Sequence, residues 1–282
     1  MSYTFGAAAT SDMNWATQMS IGTNQSTFLV CGWWRPTTLT SQRSYFSFGN
    51  AQTARVATTT SEIQLVTGNV TTPGVWTTSG AGIAVNNWYF LAFLCMYRTA
   101  NAEWRVWKST GVDNHPLLIP NTNTTAPVGA NGSASGTFYL GNAGTSTTNA
   151  FQGQIGSVST YHVPVSTLPN PLGVTSYTTF SQAEEDFVLR QYVIPAWQGN
   201  PFPIVGNHIK FGGGSVTWGM HYFDMEQVSA NNTPRSTVWS NSTTYSPQGG
   251  TATNQGCTFS LERPPVATGA MNTNPYPGFR RR

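Results

Sequence analysis

The sequence predicts an all-β protein: an antiparallel β-sandwich with one short helix and an extended C-terminal arm. Three observations predict it. Runs of β-branched, aromatic and aliphatic residues recur roughly every ten residues, with Gly, Asn, Ser and Thr between them. Aromatic residues make up 13% of the chain, a level that disordered chains lack. Helical patterning is confined to about residues 181–192.

Taken in order, the candidate strands are 28–34, 44–48, 54–59, 62–66, 75–77, 88–97, 104–108, 137–140 and 153–161. Each is short and bounded by turn residues, as buried strands are, and none is long enough to span a membrane. Phe28, Val30, Trp88, Phe90 and Ile155 are expected in the core. Trp104, Val106 and Lys108 alternate with Arg105 and Trp107, so that strand carries aromatics on both faces. Residues 113–135 read as a long loop, with prolines at 116, 120 and 127. In the helix, Ser181 is the expected N-cap and Glu184 completes a capping box. Glu184, Glu185 and Asp186 suit the first turn, and Pro195 is expected to end the helix. Further strands are expected at 218–225, 236–239 and 257–261. The tail, with prolines at 264, 265, 275 and 277, reads as an extended arm. The expected organisation is a sandwich at 1–165, a linker with the helix at 166–204, and a β-rich extension and arm at 205–282 that packs on the sandwich or on a partner.

Charge is scarce. Only 8% of residues are charged, against about a quarter in ordinary soluble domains. Three of the arginines close the chain, Arg280-Arg281-Arg282; the other ten Lys and Arg balance ten Asp and Glu. The body is therefore neutral, and the basic run is too short for a nucleic-acid face. Neutral polar surfaces suit repeated protein packing or carbohydrate contact. Cys31, Cys95 and Cys257 are odd in number, sparse and without metal-ligand spacing, so buried free thiols are expected. The opening Met1-Ser-Tyr-Thr-Phe-Gly has no signal-peptide pattern, so a chain that folds in a reducing cytosol is expected.

Three motifs in order add a resemblance. They are Phe28 to Pro36, Trp88 to Phe93, and the pair Thr137-Phe-Tyr-Leu-Gly-Asn142 and Phe151-Gln-Gly-Gln-Ile155. Over roughly residues 3–165 the chain resembles the laminin-G-like, concanavalin A-like jelly-roll sandwiches. The helix, the run Trp218–Asp224 and Pro264-Pro265-Val266 further resemble virion components of tailed bacteriophages. The resemblance implies a fold and says little about activity.

Candidate chemistry is sparse. Retaining glucanases of this sandwich type carry glutamate, aspartate and glutamate at alternate positions of one strand. Asp224 and Glu226 match the last two, and Tyr222 stands at the first. Two carboxyls about 5–5.5 Å apart are what such a mechanism requires, but the triplet is incomplete. His115, His162, His208 and His221 show no metal spacing, and the 109–135 loop holds one acid, Asp113; no metal, cofactor or catalytic residue is expected. Of the adjacent pairs Trp33–Trp34 and Trp88–Tyr89, one member each faces outward, which makes Trp34 and Tyr89 candidates for stacking a sugar. Tyr276, Phe279, Arg280, Arg281 and Arg282 are candidates for partner binding, aromatics anchoring and arginines pairing with carboxylates. The expected function is that of a non-enzymatic structural virion protein, a capsid decoration or cement protein on the outside of a shell. Its expected partners are the capsid protein and copies of itself, with no nucleic acid and no membrane, and its location is the virion, assembled in the host cytoplasm. A carbohydrate-binding or fibre domain is the alternative, and a glycoside hydrolase the second.

Overall fold

The protein is seen here as a computed structural model. It describes residues 2–6, 12–21, 26–39, 43–48, 52–56, 61–68, 71–97, 102–129, 134–143, 150–163, 180–199, 219–228, 234–240 and 253–265. Two antiparallel sheets form the sandwich. The first holds nine strands: β1 (Ser2–Phe5), β3 (Ser26–Pro36), β8 (Tyr89–Tyr97), β9 (Ala102–Ser109), β10 (Leu117–Ile119), β13 (Gly153–Val163), β14 (Gly219–Val228), β15 (Pro234–Ser240) and β17 (Thr258–Ser260). Its order is β10-β9-β8-β3-β13-β1-β17, and β14 and β15 branch from the far half of β13. The second holds eight strands: β2 (Asp12–Ile21), β4 (Ser44–Phe48), β5 (Gln52–Val56), β6 (Ile63–Val66), β7 (Val75–Thr78), β11 (Asn121–Thr125), β12 (Ala134–Leu140) and β16 (Thr253–Gln255). Its order is β11-β7-β6-β5-β4-β12-β2-β16.

Period-two alternation builds the core between the sheets. Phe28, Val30 and Trp34 of β3 face inward, as do Leu91, Phe93 and Cys95 of β8 and Trp104 and Val106 of β9. They meet Phe46 and Phe48 of β4, Leu65 of β6 and Phe138 of β12, largely through edge-on ring contacts. Burying each such side chain contributes about 1.5–3 kcal/mol. Two motif glycines have steric causes. Gly141 sits at φ +81, and a Cβ there would run into the Phe5 ring; a Cβ at Gly153 would collide with the Arg35 carbonyl.

The opposite face of the nine-stranded sheet is also apolar, because a helix covers it. Leu29, Cys31 and Trp33 of β3, Phe90, Ala92, Leu94 and Met96 of β8, Trp107 of β9 and Tyr161 of β13 pack under Val188, Tyr192, Val193 and Trp197. Trp104 and Trp107 thus serve opposite faces, as alternation predicts. The helix starts where expected: Glu184 N–H donates to Ser181 Oγ at 3.3 Å, and Ser181 N–H donates to Glu184 Oε2 at 2.7 Å. It does not stop where expected. After α1 (Gln182–Val188) it widens into a π turn (Leu189–Val193) and continues as α2 (Ile194–Trp197). In the wide turn the Ile194 N–H bonds Leu189 O, five residues back, and Pro195 enters as the first turn of α2, where its missing N–H costs little.

Two further expectations change. The stretch 113–135 is not one loop. It holds β10 and β11, both at sheet edges, where proline removes no interior ladder bond. Trp88 is only partly buried and packs against the helix-covered cluster, whereas Phe28, Val30, Phe90 and Ile155 are fully buried. The described part of the C-terminal extension joins the sandwich: β14 pairs with β13, β16 with β2, and β17 with β1. All three cysteines are buried free thiols, and burial pushes each well above the ordinary thiol range.

Candidate functional site

Trp34 and Tyr89, the expected sugar-stacking pair, do not reach solvent. They are cross-strand neighbours at 0% and 5% exposure. Trp34 packs edge-on to Tyr45 and Phe93, and Tyr89 accepts a hydrogen bond from Ala84 N–H at 3.0 Å. The outward member of the first pair is Trp33, and the helix layer buries it. Both faces of the first sheet are therefore closed over these aromatics, which corrects the stacking expectation.

Asp224 and Glu226 fall on β14, whose backbone alone is described. The β14–β15 ladder pairs Asp224 with Arg235 and is next regular at Val228 and Pro234. Glu226 lies inside that irregular stretch. The regular pairing of β14 with β15 therefore breaks between Asp224 and Val228. Among the described residues, no group of three or more His, Cys, Asp or Glu is placed to hold a metal ion. The His115 ring lies 5.1 Å from that of Trp197, tilted by 45°. Tyr276, Phe279, Arg280, Arg281 and Arg282, like His208, lie outside the described residues.

The root of the arm is described. Arg35 Nη1 donates to Gln154 Oε1 at 2.7 Å and to Glu262 Oε2 at 3.2 Å, and its Nε donates to Asn86 O at 3.0 Å. Gln154 Nε2 donates to Glu262 Oε2 at 2.6 Å, and Ser2 Oγ donates to Glu262 O at 2.8 Å. Pro264 then lies against Gly156, where a Cβ would come within 2.9 Å of its ring. Three chain segments, at Ser2, Arg35 and Gln154–Gly156, thus hold the root of the tail on the sandwich.

The surface with the clearest capacity for contact is the outer side of the eight-stranded sheet. Strand register sets one row across all eight strands: Thr125, Val75, Val66, Thr53, Ser47, Tyr139, Asn14 and Thr253. The neighbouring row, with Trp76, Leu65, Phe46, Leu140 and Met13, is core, so pleating turns Thr125, Val75, Val66, Tyr139 and Asn14 of the first row to the opposite face. That first row contains no charged residue. Ser47 at its middle is buried, while Val66, Val75, Tyr139 and Asn14 are partly exposed and β11 is exposed from Thr122 to Thr125. Hydroxyls and amides in such a row donate and accept hydrogen bonds without carrying charge. At one end the Asp12 carboxylate is buried, with Asn14 Nδ2 donating to it at 2.9 Å and Asn142 Nδ2 at 3.5 Å. Burial raises its pKa, and these two bonds offset part of the rise. At the other end Glu62 closes the loop after β7: Thr78 Oγ1, Gly80 N–H and Ala81 N–H donate to it at 2.6, 2.9 and 3.0 Å. Sequence reasoning missed this face.

No protein-family model matches the sequence, and no curated protein matches it. Among solved structures the chain is similar to a native heptameric SAP-like pentraxin from Limulus polyphemus, at 11% identity and a TM-score of 0.37, over 56% of this chain and 74% of that one. It is also similar to domains LG4–5 of the mouse laminin α1 chain, at 10% identity and a TM-score of 0.36, over 57% of this chain and 40% of the laminin chain's length. The assignment as an antiparallel two-sheet sandwich rests on the strand pairings themselves.

Proposed function

We propose that this chain acts by surface contact rather than by chemistry, as a structural protein of a tailed-phage virion that decorates the outside of the capsid shell. The observation that supports it is a register row across the eight-stranded sheet in which no residue is charged. Copies arrayed on a shell stand close to one another, and a charged face would accumulate repulsion there. A row of Thr, Ser, Asn, Tyr and Val accumulates none. In this reading Tyr276, Phe279, Arg280, Arg281 and Arg282, which follow the tail root held by Arg35 and Gln154 at Glu262, bind the capsid protein. In this reading the protein assembles in the host cytoplasm and leaves with the particle. The test is sedimentation of intact particles with quantification of this chain. Many copies per particle are expected; a chain found only in the supernatant would end the proposal.

A second reading, a module for neutral glycans, is favoured by Tyr139. It stands half-exposed between Ser47 and Asn14 in the same row, where a ring amid hydroxyls and amides suits an uncharged sugar. Tyr139→Ala would then abolish retention on a neutral polysaccharide column without lowering Tm. Equal retention of both proteins would exclude it.

A further inference from the structure

The C-terminal extension closes one side of the sandwich with a single turn. β16 pairs with β2 at the edge of the eight-stranded sheet, and β17 pairs with β1 at the edge of the nine-stranded sheet. Gly256, at φ +75, and Cys257 carry the chain from one sheet to the other. Asn254 closes that turn: its Nδ2 donates to Cys257 O at 3.0 Å, and the Cys257 N–H donates to its Oδ1 at 2.8 Å. Cys257 itself is buried in the core. Both strands are terminal and three residues long. Residues 253–260 can therefore lift as a unit without breaking any other ladder, as segments of low local stability do.

Asp12 is the register partner of Gln255 in this unit, and it is 3% exposed. Its carboxylate accepts from two neutral amides, Asn14 and Asn142, and among the described residues no cation pairs with it. The Cys257 thiol stands close enough to feel its charge. A buried carboxylate without a cation ionises only at a cost, which water removes once the covering segment lifts. We propose that residues 253–260 are a clasp over Asp12, tight while that carboxyl is protonated and loosened when it ionises. The root of the tail at Glu262 follows two residues on, so the same device governs how firmly that root is held. The surrounding elements offer no competing charge. β16 carries no titratable residue, the turn carries only Cys257, and β12 carries only Tyr139, opposite Asn14; ordinary thiols and phenols ionise well above pH 7. β13 also approaches β2, and its titratable residues, Tyr161 and His162, lie at the end paired with Leu29 and Phe28. Asp12 lies toward the other end, beside Asn142, whose neighbour Gly141 abuts Phe5, the partner of Gly153. Burial raises the Asp12 pKa above 3.8, in keeping with this geometry. The clasp's extra hold is thus full below pH 3.8 and is lost as pH rises through the raised value. The inference stands apart from the decoration reading, since it concerns the free protein in solution.

The experiment is amide hydrogen exchange of the full chain and of Asp12→Asn, corrected for the intrinsic pH dependence of exchange and read separately over 253–260 and over the β3–β8 ladder. In the wild type, protection of 253–260 should fall at least about threefold between about pH 4 and pH 7, while the β3–β8 ladder stays level. In Asp12→Asn, which cannot ionise there, protection of 253–260 should stay level and exceed that of the wild type near neutrality. Glu262 also carries a carboxyl on this segment, and Asp12→Asn leaves it untouched, so the difference between the two proteins isolates Asp12. Should Asp12→Asn fail to fold, the wild-type comparison of 253–260 with the β3–β8 ladder decides alone. Protection of 253–260 that stays level or rises with pH in the wild type, or that falls equally in Asp12→Asn, would overturn the proposal.

Discussion

Replacing Trp33 with alanine separates a packed aromatic from a binding aromatic. Trp33 faces away from the sandwich core, where an open sheet would present it to ligands. Here it is 2% exposed and meets Phe90 edge-on at 5.5 Å. Emptying a buried tryptophan site costs about 3–5 kcal/mol, cavity included. For a chain of this size each kcal/mol lowers Tm by about 2–4 °C, so Trp33→Ala should melt roughly 6–20 °C below the wild type. Trp33→Phe is the second arm. The indole N–H of Trp33 is buried with no hydrogen-bond partner, so phenylalanine removes an orphan donor along with part of the packing. Its loss should be less than half that of alanine. The assay is thermal unfolding followed by near-ultraviolet circular dichroism. A Trp33→Ala protein that melts within about 1 °C of the wild type would refute the closed outer face, since surface substitutions have effects of that small size.

Three further outcomes are expected. Arg105 donates through Nε to Glu185 and lies 5.3 Å over the Phe180 ring, so Arg105→Ala should loosen the helix by about 1 kcal/mol; amide exchange across 182–197 should speed up roughly fivefold while the β3–β8 ladder stays protected, and unchanged exchange would count against the docking. Burial alone would raise the Glu62 pKa, but Thr78, Ala81, Gly80 and Lys108 together hold it below the ordinary carboxylate value. Its stabilising effect is therefore present above pH 4.5 and lost as pH falls through the lower folded value, so the Tm gap between wild type and Glu62→Gln should be largest near neutrality and close in acid; a gap that widens in acid would reverse the sign. Asp224→Asn and Glu226→Gln should leave particle binding intact, and a β-glucan hydrolysis assay that either change abolishes would install the hydrolase reading.

The fold was legible where burial leaves a mark in residue type. Strands β3, β4, β8 and β9 carry aromatics and β-branched residues and lie where the sequence places them. β11, Asn-Thr-Asn-Thr-Thr, was not legible: an edge strand exposed along its length has no apolar face to alternate with. β10 was masked by flanking prolines that a sheet edge tolerates. The helix start was legible because a capping box is local chemistry, whereas its passage through Pro195 depends on a π turn that no local rule announces. The site was harder still. Adjacent tryptophans show that one side chain points outward, but not that a helix more than 140 residues further along the chain covers it. The uncharged register row is assembled from eight separate segments, and no motif precedes it.

The most direct test is co-sedimentation of intact virions with the full-length chain and, separately, with a chain ending at Pro265. Because Arg35, Gln154 and Ser2 hold Glu262 on the sandwich, the shortened chain should stay soluble and keep the wild-type Tm. The account predicts that the full chain sediments with particles at many copies each and that the shortened chain does not. A shortened chain that binds at full occupancy would contradict the arm as anchor, and a full-length chain that never sediments with particles would contradict the structural role itself.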